Sequence, residues 1–399
     1  MKKNKELNTF ITKLYAYNLF SMMAFILPFF AVMLNEKLTA TQIAIVMIAC
    51  KVAQITTEIP SGAIADKYNR KYVLMVSRSL NIVPLALWIF FPTFWYYLVG
   101  FIFLGLSDSL SSGCREAFIY DELNKFKRKD LFERVYGRGG ALTSMGIFIA
   151  SIGAFVFTKL GFGYNFLMFA SILTLILSVI IFSTIKPSKN IGHVDDPENI
   201  LSYMETLKKG VKYAFNHKLV LKMILFLTFI NYINVGALEY IGVFYQEITN
   251  DLSKVAILCA VGSLAFALGR FSGEYLKVLS TKVLFSFFLI GSLLDIVSFS
   301  LYSYPFSIVT LVISTILICG VFVNVQARMN NLIPKNIRAT TLSVMGFIEA
   351  IGCIICLYAF GRVVDYFDSY QIGFLTFVGL SVIGSAVFLI SFVRDKNLK

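Results

Sequence analysis

Charge is scarce in this chain. Asp, Glu, Lys and Arg make up 15% of the 399 residues and hydrophobic residues 57%, whereas a soluble domain carries about a quarter charged. A surface so poor in charge is solvated by lipid, and the mean hydropathy of +0.75 agrees. Histidine is rarer still: His193 and His217 are the two present, both in one polar stretch, which argues against a histidine-based metal or catalytic centre. Cys50, Cys114, Cys259, Cys319, Cys353 and Cys356 all fall inside apolar runs. Cys353 and Cys356 form a C-x-x-C, but one turn of apolar helix is poor redox or metal context, so these read as small packing residues. There is no Gly-x-x-x-x-Gly-Lys-Ser/Thr loop, hence no ATPase of the chain's own. With scattered acids and no clustered catalytic groups, neither an enzyme nor a cofactor is expected. No small-residue cleavage site follows Lys2-Lys3-Asn4-Lys5-Glu6, so no removable signal peptide is read.

What charge there is leans basic, with a net +13. The bases are dispersed among apolar spans, so they read as topology determinants and anchors to anionic lipid, not as a nucleic-acid surface. Phe and Tyr are plentiful, 39 and 20, which suits a lipid-facing surface.

A hydrophobic run of about 20 residues crosses the hydrocarbon core as a helix. Twelve such runs predict an all-α integral membrane protein: spans at 10–34, 41–61, 72–91, 95–119, 137–158 and 163–185, then 219–246, 253–275, 282–303, 306–329, 340–360 and 371–393. The expected organisation is a six-helix bundle over 1–185, a connector over 186–218 and a second six-helix bundle over 219–399. Leu201, Met204, Leu207, Val211 and Ala214 recur at helical spacing in the connector, as in an amphipathic helix lying on the membrane face. Lys67, Arg70, Lys71, Lys125, Lys127, Arg128, Lys129, Arg134, Lys277, Lys335 and Arg338 fall in alternate loops, against Lys37, Lys159, Lys254 and Arg362 in the others. By the positive-inside bias this predicts a multi-pass protein of the cytoplasmic membrane with both termini inside.

The stretch Gly62-Ala63-Ile64-Ala65-Asp66-Lys67-Tyr68-Asn69-Arg70-Lys71 reads as a short hairpin between the second and third spans, with Gly62 allowing close helix packing. It resembles the Gly-x-x-x-Asp-Lys/Arg-x-Gly-Arg-Lys/Arg signature of the major facilitator superfamily. It departs at Asn69, where the family has Gly; Asn tolerates a left-handed backbone better than most residues. Arg338-Ala339-Thr340-Thr341-Leu342-Ser343 is similar to the segment that opens helix 11 in many members, and Ser112 to Asp121 resembles a helix 4 pattern of one branch. The resemblance implies two bundles rocking about a midplane site, with helices 1, 4, 7 and 10 lining the path. It also implies an inner gate built from Gly62, Asp66, Arg70, Lys71 and Asp121, with Asp66 facing the start of helix 11. The Gly-Pro signature of helix 5 in drug–proton antiporters is missing: Gly137, Gly139, Gly140, Gly146 and Gly153 occur there without proline.

Ionisable residues at membrane depth cost at least about 2.5–3.5 kcal/mol on insertion scales and therefore mark function by default. Lys51, Gln54 and Glu58 share a face of the second helix. Lys51 fits three roles: receiving an anionic substrate, neutralising an acid on a neighbouring helix, or a structural ion pair. Asp108, Ser112 and Arg115 share a face of the fourth, and Asp108 is the leading acid for a substrate or proton site. Asn231, Asn234 and Glu239 on the seventh helix and Glu349 on the eleventh complete the candidate pathway, while Asp295 on the ninth reads as structurally paired. The expected function is secondary transport of a small molecule by alternating access, with protons as the coupling ion and efflux of amphipathic compounds the leading direction. Uptake of a nutrient or metabolite, and a non-transporting receptor or assembly factor on the same fold, are the alternatives.

Overall fold

The computed structural model describes residues 2–186, 212–213, 215–229, 238–273, 275–334 and 338–393. Among them there is no strand, and ten helices are long and apolar enough to cross a membrane. In chain order the α-helices are α1 (Lys2–Ser21), α2 (Phe30–Asn35), α3 (Ala40–Lys67), α4 (Arg70–Leu80), α5 (Ile82–Phe90), α6 (Phe94–Ser111), α7 (Cys114–Lys125), α8 (Phe132–Lys159) and α9 (Tyr164–Ser183). The chain continues with α10 (Lys218–Phe229), α11 (Ile241–Thr249), α12 (Leu252–Ser272), α13 (Thr281–Leu301), α14 (Phe306–Leu332), α15 (Arg338–Phe367) and α16 (Tyr370–Val393). The connector helix expected over 201–214 lies largely outside the described residues.

The clearest departures from the expected spans are in the first, second and fourth. The first, expected unbroken over 10–34, starts at Lys2 and stops at Ser21; Pro28 then opens a 3-10 turn before α2. Proline lacks the N–H that would continue the ladder, and the freed backbone is bonded elsewhere. Thr174 Oγ1 donates to Met23 O at 2.7 Å, and Ile26 N donates to Ser171 Oγ at 3.3 Å. The second span outruns its expected end at 61, passing through Pro60 to Lys67, so most of the expected hairpin is helix. Asn69 is not left-handed either: at φ −63° and ψ 118° it caps α4, its side chain accepting from Lys71 N at 3.0 Å. The fourth span is broken, because Ser112 is extended and Gly113 has φ +65°, a conformation glycine adopts without strain.

The chain divides into two compact units, one of Met1–Leu38 with Ile45–Val194, the other of Thr39–Ala44 with Asp195–Lys399. Lipid gives helices no hydrophobic reason to associate, so close packing and hydrogen bonds must hold each bundle. In the first unit, Gly139, Gly146 and Gly153 form a seven-residue seam on α8. A Cβ on them would collide with Asn18, with the carbonyl of Leu19 and with the ring of Phe25. Leu14, Tyr17, Phe118, Ile119 and Phe182 fill the core beside this seam.

The second unit packs α13 against α14 and α16, and α12 against α14. Its core is aromatic: Phe226, Phe285 and Phe288 in one layer, Phe244, Phe299, Phe360 and Phe374 in another. The Phe299 and Phe374 rings stack at 4.5 Å. The first turn of α3 belongs to this unit. Asp365 takes both of its leading amides, Oδ1 accepting from Ala40 N at 2.9 Å and Oδ2 from Thr41 N at 3.0 Å, while Tyr240 Oη donates to Ala40 O at 3.1 Å. An acid at a helix N-terminus satisfies orphan donors and opposes the helix dipole favourably.

Candidate functional site

In the first unit, small residues bring three helices together around Asp108. A Cβ on Gly105 would overlap the carbonyl of Cys50, so α6 lies directly on α3, and Ser109 Oγ donates to Ser61 Oγ at 3.0 Å. On the other side, Ser77 Oγ donates to Ser107 O and Ser107 Oγ to Ser77 O, each at 2.8 Å, which ties α6 to α4. Asp108 therefore sits between α3 and α4, and the cations whose fields reach it are Lys51 and Arg78. Asp108 is exposed and Lys51 half-buried. Arg78 is 9% exposed, and its Nε is buried without a hydrogen-bond partner among the described residues. No ion pair closes on Asp108 among the described residues. Two bases thus face one acid at longer range, so protonating Asp108 leaves an uncompensated double positive charge. Arg78 is missing from the sequence-based candidates, although a lone base inside the run 72–91 is the signal that could have found it.

The break at Ser112–Gly113 separates Arg115 from Asp108; they do not share one helical face as expected. Arg115 begins α7 and turns to the first span, Nη2 donating to Asn18 Oδ1 at 2.9 Å and to Thr143 Oγ1 at 3.5 Å. Asn18 is 1% exposed and occupies the space that Gly139 leaves. Nearby, Tyr136 Oη donates to Glu116 Oε1 at 2.7 Å.

Among the residues assigned to an inner gate, Arg70 and Asp121 form an ion pair. Lys71, 5% exposed, donates from Nζ to Ser183 O at 2.6 Å and so caps the end of α9. Gly62 is exposed, and a Cβ there would meet nothing within 4 Å among the described residues, so the close packing expected of it is not seen. The side chain of Asp66 lies outside the described residues. So do Asn231 and Asn234. Glu58 and Glu239 are exposed. Glu349 is half-buried, with Oε1 buried and lacking a hydrogen-bond partner among the described residues. Asp295, read as structurally paired, is 6% exposed and faces the Ser314 hydroxyl; no base lies within ion-pair distance of it among the described residues.

Apolar helices of this length, carrying acids and bases held across helices inside a bundle, define a multi-pass membrane protein. The chain belongs to the Major Facilitator Superfamily, whose family model matches residues 10–357. It is 25% identical over 244 residues to an uncharacterised MFS-type transporter, YxaM, of Bacillus subtilis (strain 168). That match spans 60% of this chain and 57% of the relative's length. Its fold is similar to that of the nucleoside transporter NupG, with a TM-score of 0.74 and 17% identity, covering 98% of this chain and 99% of the other. A D-xylose-proton symporter shares the fold at a TM-score of 0.68 and 10% identity, covering 95% and 96%. Membership places the chain in a superfamily of transporters rather than of enzymes.

Proposed function

We propose that the protein is a proton-coupled secondary transporter of the cytoplasmic membrane, with both termini cytoplasmic, exporting amphipathic small molecules by alternating access. The observation that carries this reading is Asp108, an exposed acid at span depth, held between α3 and α4 in the field of Lys51 and Arg78 without a closed ion pair among the described residues. An acid in that position exchanges its proton with a change in the charge the substrate meets. Arg115, Glu58, Glu239, Asn231, Asn234 and Glu349 are assigned to the same pathway, and Gly62, Asp66, Arg70, Lys71 and Asp121 to an inner gate. The fold neighbours named as a nucleoside transporter and a D-xylose-proton symporter favour the second reading, uptake of a hydrophilic metabolite.

The test is proton movement in proteoliposomes under an imposed pH gradient, with cationic, neutral and anionic compounds, for wild type and Asp108→Asn. Substrate-evoked proton flux that falls at least tenfold in Asp108→Asn is the expected outcome. Undiminished flux in the variant would move the coupling acid to Glu58, Glu239 or Glu349. Substrate movement indifferent to the gradient would rule out coupling.

A further inference from the structure

At the end of the first unit where α1 begins, a cavity of about 520 Å³ opens between α1, the end of α7 and the residues after α9. Its size is that of a small-ligand site. Lys5 and Lys13 border it from α1, Lys125 from α7 and Lys186 from beyond α9, and Phe10, Phe126 and Ile185 make an apolar floor. Ile185 is 3% exposed, and the rings of Phe10 and Phe126 lie 6.4 Å apart.

Glu6 and Glu122 also line the cavity, so four lysines against two glutamates leave it net positive. Glu122, 2% exposed, is already matched: its Oε2 lies 3.7 Å from Lys125 Nζ, and it acts on Lys71. The carbonyls ending α9 are matched too, Thr184 O accepting from Lys13 Nζ at 3.0 Å and Ser183 O from Lys71 Nζ. With the helix's negative end neutralised, Lys5 and Lys186, both exposed, have their ammonium groups to offer an incoming anion.

We propose that this cavity binds the phosphate group of an anionic phosphate ester, the lysines holding the phosphate and the aromatic floor the ester's carbon portion. Basic pockets between membrane helices recognise anionic head groups in this way. The site lies where α9, a span of the bilayer, ends, which is head-group depth; the same chemistry would also accept a soluble phosphate ester.

The full-length protein would be purified in detergent, exposed to phosphatidylglycerol or phosphatidylcholine, and read by native mass spectrometry for retained lipid. Wild type should retain phosphatidylglycerol over phosphatidylcholine, and Lys5→Gln/Lys186→Gln should bind it about 30-fold more weakly, at about tenfold or less for each lysine lost near the surface. Lys159→Gln/Lys254→Gln, equal in charge, controls for global attraction. Without any variant, phosphatidylglycerol nanodiscs should protect Lys5 and Lys186 from acetylation relative to phosphatidylcholine nanodiscs. Competition by millimolar inorganic phosphate would assign the site to a soluble ester, and its absence to lipid. Equal retention of both lipids, or equal loss in both double variants, would overturn the proposal.

Discussion

In the first unit charged side chains as well as serines reach across helices: Arg115 to Asn18, Arg70 to Asp121, Lys71 and Lys13 to the carbonyls ending α9. In the second unit the buried polar groups are mostly hydroxyls, some of them meeting hydroxyls. Ser292 and Ser381 lie 3.1 Å apart, Ser298 and Thr310 2.6 Å, and Asp295 faces a serine. Charge bonded across a bundle in low dielectric is strong but costly to leave unmatched, whereas a serine is small enough to bury against a neighbouring helix at little cost. Among the described residues, charge bonded across helices is thus more frequent in the first unit, while aromatic packing and hydroxyls hold much of the second.

The comparison breaks most readily at the glycines. Gly105→Leu or Gly146→Leu would drive a side chain into backbone carbonyls of the facing helix, and each is expected to cost about 3 kcal/mol or more. Gly140→Ala and Gly379→Ala, with open space around them, should leave the thermal unfolding curve in detergent unchanged. Next in size is Arg115→Met, which strands Asn18 in the bundle; a loss of about 2 kcal/mol is expected, measured by the same unfolding assay. Gly113→Ala should cost about 1–2 kcal/mol, the penalty of a left-handed backbone for a residue with a Cβ. At the small end, Ser292→Ala should cost about 0.6 kcal/mol, the usual worth of a hydrogen bond between membrane helices. A Ser292 effect as large as that of Arg115 would erase the contrast between the units.

Spans, bundle architecture and family are legible in the sequence because bilayer thickness forces about 20 apolar residues into each crossing, whatever their order. Local geometry is less so. Asn69 reads as a stand-in for a left-handed glycine, but a residue that precedes a helix can equally use its side chain as a cap, and the tripeptide context favours neither. Ser112-Gly113 carries the signal of a broken helix, which the apolar run on either side obscures. The glycines of α8 are visible, yet their seven-residue seam acquires meaning only when the facing α1 is known. Around Asp108 the acid and Lys51 can be named from sequence, but Arg78 cannot be joined to them: the Ser77–Ser107 bonds that set its register pair residues on two different helices.

The interruption at Gly113 has a mechanical side. It turns the fourth span into two stiff rods, one ending just after Asp108 and the other beginning just before Arg115. One rod is fastened to α3 and α4 by serines, the other to the first and fifth spans by Arg115 and to α4 by the Arg70–Asp121 ion pair. The torsions of Ser112 and Gly113 thus act as the elbow between a charged site and a hydrogen-bonded anchor.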